Sequence, residues 1–399
     1  MHNPIRIAID GNEANTTNRV GSNVYAFEIL HQLWKLTSKP QKFHCTVLLA
    51  QQQAADFPPA RKNWQYAIVK PARLWTQWAL PFHLFWYQKK YDLFFTTSHY
   101  APRLSVIPYV SGVMDVAYLE FPEQFRRNDF YQLKYWTRYS VKRAAKVITI
   151  SQYSKQQIHT AYGRPLNDIV VASPAVSLPR SSSPLRTKAF FRKFKIEKKN
   201  YILYVGTLQP RKNLENLIEA FETFSRSYAA NQLKKRAVDF TEYSPPPPQL
   251  VLAGKVGWLA KGIQDRIKSS ALKDQIIVTG FVSDDLKPQL YKQARATILI
   301  GLSEGFGIPP LESMSVGTIP IVSNTSSLPE VIGSAGILVD PTKPLKIAEA
   351  IREAWNLPAS KQQQFEKKAK KQLSQFTWQK TGKTILNTLV KVARHAKKH

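Results

Sequence analysis

The chain reads as two successive rounds of short apolar runs alternating with stretches of helical spacing. Residues 5–9 open the first round as a strand that ends in the turn Asp10-Gly11. A polar loop leads to Gly21, after which Tyr25, Ile29, Leu30, Leu33, Trp34 and Leu36 recur at helical intervals. Further strands are predicted at 45–50, 66–69, 92–96, 106–113, 146–150 and 169–172, with a helix over 131–145 and another opening at the N-cap candidate Ser151. Residues 177–200, rich in Ser, Pro, Lys and Arg, read as a linker. The pattern restarts at Tyr201, with strands at 201–205, 250–253, 276–282, 296–300, 319–322 and 335–339. Helical spacing follows from Asn213, from Leu311 and over 345–355. Residues 231–249 break the rhythm with Lys234, Lys235 and Arg236 and then Pro245 to Pro248, which predicts an exposed insertion ending in a stiff polyproline spacer. Strand–helix alternation in both halves predicts an α/β protein of two doubly wound, Rossmann-like domains, 1–180 and 181–379.

Composition refines this picture. At 399 residues and 43% hydrophobic, the chain can bury two full cores. The single Cys45 excludes an intramolecular disulfide framework and, lying in an apolar run, reads as a buried strand thiol. The first apolar run is too short for a signal peptide, and no run reaches the roughly 18–20 residues of a membrane span, so the expectation is a cytoplasmic protein, soluble or peripheral. Lys and Arg number 57 against 27 acids, a net +30. Such a field attracts nucleic acid, anionic lipid or phosphorylated substrates; a surface simply rich in lysine, as over 361–371, accounts for it equally well. Residues 73–87 are densely aromatic and run into Lys89 and Lys90. The expectation there is a helix with a packed core face, although Trp and Tyr beside cations also suit a membrane interface. Pro81 counts against one long anchor.

The chemistry concentrates in residues 303–312, SEGFGIPPLE. A strand, a glycine turn and a helix start present backbone N–H donors to an anion. Glu304 and Glu312 would be repelled by that anion, so as ligand contacts they should face hydroxyls. Phosphates between hydroxyls describe a nucleotide-sugar. The plainer reading is that both glutamates serve a helix start. Arg211 and Lys212 follow the strand at 201–205, at the end of a parallel strand where doubly wound folds bind ligands. Arg supplies a planar fork for phosphate and Lys a point charge. As an alternative, they are ordinary surface cations of a basic protein. Asp115 follows the strand at 106–113 and could simply cap the next segment.

The run EGFGIPPLESMSVGTIPIVSNTSSLPEVIG resembles the C-terminal signature of the family 4 retaining glycosyltransferases (glycosyl transferases group 1), in which two glutamates are separated by seven residues as here. Gly206 to Asn213 resembles that family's donor-diphosphate motif. The resemblance implies the GT-B architecture, with an active site in a cleft between an acceptor domain and a donor domain, and a C-terminal helix near 380–399 crossing back onto the first domain. It implies that Arg211, Lys212 and the backbone of Gly305, Phe306, Gly307 and Ile308 hold the diphosphate, with Gly21 and Gly206 in the phosphate-facing loops. Glu312 would bind the ribose, Glu304 the donor sugar, and the backbone of Phe281 and Val282 the base. Asp115 matches the family. Met114 stands where many members have histidine, so that histidine's role is not carried over.

The implied reaction is transfer of a sugar to an acceptor hydroxyl with retention, the acceptor being a cell-surface glycan or lipid-linked sugar. No cofactor and no metal are expected: there is no Asp-x-Asp sequence, and the eight histidines show no paired ligand spacing. Expected partners are the donor, the acceptor and, peripherally, an anionic membrane at the inner face of the plasma membrane, without nucleic acid. Competing classes are a sugar-nucleotide epimerase or phosphorylase of the same architecture, and a non-catalytic basic scaffold binding membrane or nucleic acid. A pyridoxal-phosphate phosphorylase would need a dedicated lysine site. The scaffold leaves unexplained why Arg211, Lys212, Glu304 and Glu312 sit at strand ends.

Overall fold

The computed structural model describes residues 3–17, 19–176, 182–239 and 245–397. The chain forms two compact units, Met1–Ala175 with Phe376–His399, and Val176–Gln375.

The first unit is built on seven strands: β1 (Ile5–Asp10), β2 (Phe43–Leu49), β3 (Trp64–Ile68), β4 (Leu93–Thr96), β5 (Tyr109–Gly112), β6 (Lys146–Thr149) and β7 (Ile169–Val171). Every pairing is parallel, in the order β3-β2-β1-β4-β5-β6-β7. Parallel strands need crossover helices, which cover both faces and make the strands apolar throughout. Leu93 and Phe94 are accordingly fully buried. Cys45 lies buried on β2, where burial pushes its thiol up to about 12.

The second unit has six strands: β8 (Tyr201–Val205), β9 (Gln249–Ala253), β10 (Ile276–Gly280), β11 (Ala296–Leu299), β12 (Pro320–Ser323) and β13 (Ile337–Val339). They are again all parallel, in the order β10-β9-β8-β11-β12-β13. In each sheet the chain winds outward one way from its first strand and then returns to that strand's other side. The switch points fall between β1 and β4 and between β8 and β11, and ligand crevices form at such points beyond the C-terminal strand ends.

Three expectations change. The linker read over 177–200 contains a helix, Pro184–Lys193, started by Ser183, whose hydroxyl accepts from the Arg186 N–H; 177–181 lie outside the described residues. The break read at 231 is absent, because the helix Leu214–Asp239 continues through it. Ala229, Ala230, Leu233 and the lysines are sound helix formers, so the charge cluster does not end the helix. Residues 240–244 of that stretch are not described. The aromatic segment packs only one face: Trp75, Ala79, Leu80 and Leu84 are buried, whereas Trp78, Phe82, Phe85 and Trp86 are exposed. The basic chain end is held as far as Lys397, whose ammonium lies 3.0 Å from Asp92 Oδ2, a carboxylate also bound by Arg6.

The last helix, Trp378–Ala396, belongs to the first unit. Thr377 caps it, accepting from the Lys380 N–H. Its Trp378 ring lies 5.9 Å from Tyr25, and Thr381 Oγ1 donates to the Ser173 carbonyl at 2.5 Å. Gly382 permits the approach: a Cβ there would sit 2.5 Å from Gln32 Cβ on the helix Ser22–Leu36. Gly382→Ala sets two effects against each other. Helix propensity favours alanine by about 1 kcal/mol, and overpacking costs about 1–3 kcal/mol. The overlap should win, so urea unfolding is expected to show a less stable variant; a more stable one would contradict the packing.

Candidate active site

The switch point of the second sheet gathers the predicted cations and one predicted glutamate. After β8, Gly206 takes a positive φ, and the following loop runs against the one after β9. A Cβ on Gly254 would fall 1.8 Å from the Gly206 carbonyl oxygen, so only glycine fits there. Pro210–Lys212 forms a single tight turn, closed by Asn213 in the left-handed region. The Asn213 side chain donates to the carbonyls of Pro341 (2.6 Å) and Ile300 (3.3 Å). The turn thereby grips the loop that leaves β11.

Three further contacts join those loops. Arg211 Nη1 donates to the Ser303 carbonyl at 2.7 Å, and the Leu302 N–H donates to the Arg211 carbonyl at 3.0 Å. Lys212 Nζ lies 2.5 Å from Glu304 Oε1, with only 13% and 9% of the two side chains exposed. A carboxylate so buried needs a partner, because desolvating a lone charge costs several kcal/mol. The Glu304 backbone is fixed as well: its N–H donates to Ser326 Oγ, and its carbonyl accepts from Ser327 Oγ. The same Ser327 hydroxyl bonds the Phe306 carbonyl at 2.9 Å.

Gly307 adopts φ 99°, and an added Cβ would strike the Leu328 side chain at 2.5 Å. The helix that follows runs Ile308–Ser315, beginning before the predicted Leu311. This weakens the anion site as read from sequence. Pro309 and Pro310 occupy the first turn and carry no N–H, so donors toward an anion there fall to the turn itself, at Gly307 and Ile308, with Gly305 and Phe306 in the approach.

Glu312 is set apart from Glu304 by its contacts. Its Oε2 accepts from the Tyr291 hydroxyl at 2.5 Å. Burial raises its pKa, opposed by the charge of Lys287 and by that hydrogen bond. Tyr291 packs in the same core cluster as Val282, so Glu312 and the strand end after β10 share one support. Val282 is buried, whereas Phe281 is half exposed with the Lys255 ammonium 5.1 Å from its ring centroid.

In the first unit, Gly21 precedes the helix Ser22–Leu36 at φ 53°, with open space where a Cβ would be. Asp115 Oδ1 accepts from the Ala117 N–H at 3.1 Å, the capping contact. Two residues that sequence reading passed over stand at this sheet's switch point. Asp10, at the end of β1, accepts from Asn12 and from Thr96 Oγ1 on β4, each at 3.0 Å; burial pushes it up to about 6 despite those bonds. His99, just past β4, accepts the Met114 N–H on Nε2 at 3.3 Å. That bond places the ring proton on Nδ1, a buried atom without a hydrogen-bond partner among the described residues. An imidazole thus lies beside residue 114 although the sequence has methionine there. The available signal was the position of Asp10 and His99 immediately after predicted strands. Among the described residues, no three His, Cys, Asp or Glu side chains gather as a metal site, and no helix is long and apolar enough to cross a membrane.

Two Rossmann-like units, the second with basic and acidic side chains meeting at its switch point, fit the GT-B class of α/β proteins, the fold that the solved neighbours share. Residues 186–372 match the family model of the glycosyl transferases group 1, and the second unit belongs to that family. Among curated proteins the chain is similar to O-antigen chain mannosyltransferase B of Escherichia coli, 29% identical over 58% of this chain and 57% of the relative. It is also similar to O-antigen chain mannosyltransferase RfbU of Salmonella typhimurium, 27% identical over 66% of this chain and 65% of the relative. The matches therefore span less than two thirds of those relatives. Among solved structures, HepE from Anabaena in complex with UDP-glucose aligns with 97% of this chain and 100% of its own at a TM-score of 0.70 and 16% identity. The lipopolysaccharide glycosyltransferase WaaG aligns with 96% and 99% at 0.65 and 14%. These likenesses carry the fold.

Lys212→Met should leave Glu304 buried and unpaired, at a cost of about 3–5 kcal/mol. The double variant with Glu304→Gln should recover much of that loss in urea unfolding. If the two variants are equally destabilised, the ion pair is not what holds these loops.

Proposed function

We propose that the chain is a retaining glycosyltransferase that moves a sugar from a nucleotide-diphosphate-sugar to an acceptor hydroxyl of a glycan or lipid-linked sugar. The observation that carries this reading is the joining of Arg211, Lys212 and Glu304 at the β8/β11 switch point of the unit that belongs to the glycosyl transferases group 1. Arg211 and Lys212 would receive the diphosphate and stabilise charge on it as the C1–O bond breaks. The new bond forms at C1 on the same face, and the acceptor proton passes to the departing phosphate oxygen. Glu304, oriented by Lys212, would accept hydroxyls of the sugar, and Glu312, oriented by Tyr291, those of the ribose. The backbone after β10, at Phe281 and Val282, would hold the base. On the first unit, Gly21 is assigned to the donor phosphate, and Asp115, Asp10 and His99 are the groups we assign to the acceptor and the sugar.

The reaction is proposed to need neither metal nor cofactor, because two side-chain cations meet the leaving group. The relatives' names make mannosyl donors the first to test. With a net charge of +30, we place the protein on the cytoplasmic side, peripherally attracted to anionic membrane.

A thermal-shift screen of nucleotide-sugars should show one donor class raising the melting temperature, since ligand binding stabilises by mass action. With that donor, Glu312→Gln and Arg211→Ala should each lower kcat/KM at least about tenfold, about 1.4 kcal/mol, with the fold intact. Wild-type kinetics in both would sink the site assignment. Activity should persist in excess EDTA; a loss restored by Mg²⁺ or Mn²⁺ would refute the metal-free reading. Salt-dependent nucleic-acid binding without any sugar transfer would favour a scaffold instead.

A further inference from the structure

The segment between Lys70 and Lys90 combines three properties that do not coexist on an ordinary solvent face. First, its outward residues are large and apolar. Trp75–Ala79 makes a π-helical turn that runs directly into the helix Leu80–Trp86. Trp75, Ala79, Leu80 and Leu84 fill the core. Trp78, Phe82, Phe85 and Trp86 stand outward at helical spacing, with 57%, 56%, 51% and 75% of their surfaces exposed. A helix that is apolar on both faces is normally buried on both, and a contiguous exposed apolar patch marks an interaction site.

Second, the stripe is ordered by its own contacts. The Trp78 and Phe82 rings stack with centroids 6.3 Å apart and planes at 17°, and Phe85 meets Trp86 edge to face at 5.9 Å. Third, its charge has one sign. No Asp or Glu occurs from Lys70 to Lys90, whereas Lys70, Arg73, Lys89 and Lys90 are all exposed. The Lys90 ammonium lies 4.4 Å from the Tyr87 ring centroid. The next acid, Asp92, is buried and committed to Arg6 and Lys397.

We propose that the Trp78–Phe82–Phe85–Trp86 stripe, edged by Arg73, Lys89 and Lys90, is the surface by which this chain docks on an anionic lipid bilayer. Trp and Tyr rings favour the headgroup level, where an apolar ring body and a polar edge are both accommodated. Flanking cations meet anionic headgroups. The helix is too short to span and lies in the interface plane, with its buried face keeping it on the protein. A second protein copy would have to cover four cations with a surface that is itself strongly basic, so charge complementarity favours lipid. The proposal rests on the peripheral placement above but not on the transfer reaction, and its test uses no substrate.

The 399-residue chain is centrifuged with phosphatidylcholine vesicles, with and without phosphatidylglycerol, at low and high salt. The wild type should pellet with the anionic vesicles, much less with the neutral ones, and less at high salt. Trp78→Ser with Trp86→Ser, and separately Lys89→Glu with Lys90→Glu, should each reduce partitioning at least about tenfold. All four side chains are exposed, so thermal midpoints should match the wild type. Equal binding to neutral and anionic vesicles, or unchanged binding by both double variants, would overturn the proposal. So would a dimer in sedimentation velocity that the tryptophan variant dissolves while no vesicle binding occurs, since that assigns the stripe to a second copy.

Discussion

Lys212 and Glu304 are 92 residues apart in sequence and 2.5 Å apart in space. The sheet's winding makes this meeting unavoidable, because β8 and β11 are neighbours although β9 and β10 lie between them in the chain. Each strand then releases its loop at the same end. The ion pair converts two loops into one body, and it does so with the groups that would meet an anion. Arg211 cannot reach the Ser303 carbonyl, nor Asn213 the carbonyls of Ile300 and Pro341, unless both loops keep their shape. Positioning and binding therefore draw on the same few side chains, and a substitution chosen to probe one will disturb the other.

The alternation of apolar runs with helical spacing was legible in the sequence, because parallel strands covered on both faces are apolar throughout. The turn glycines were legible too. At Gly307 and Gly206 the backbone conformation asks for the residue that is there. What could not be read were facts about partners. Nothing in SEGFGIPPLE says that Glu304 meets a lysine and Glu312 a tyrosine, since Lys212 and Tyr291 come from other elements. Asp10 and His99 offered only their place after predicted strands, for the same reason: their environment comes from β4 and from the loop beyond β5. The aromatic run over 73–87 shows the limit of reading burial from composition. One face obeys the hydrophobic rule and the other breaks it, and the letters are equally apolar on both. The two prolines after Gly307 also had to be weighed as missing donors, a cost hidden while the helix was taken to start at Leu311.

The helix Trp378–Ala396 carries a different consequence. The first unit is discontinuous, with 200 residues of another unit inserted between its last strand and its closing helix. During synthesis the second unit is complete while the first still lacks the partner of Tyr25 and the side of the helix Ser22–Leu36 that admits Gly382. The apolar strip awaiting that helix stays open until the helix itself has been made. Order of assembly is thus written into the connectivity: the unit that begins first is the one that finishes last.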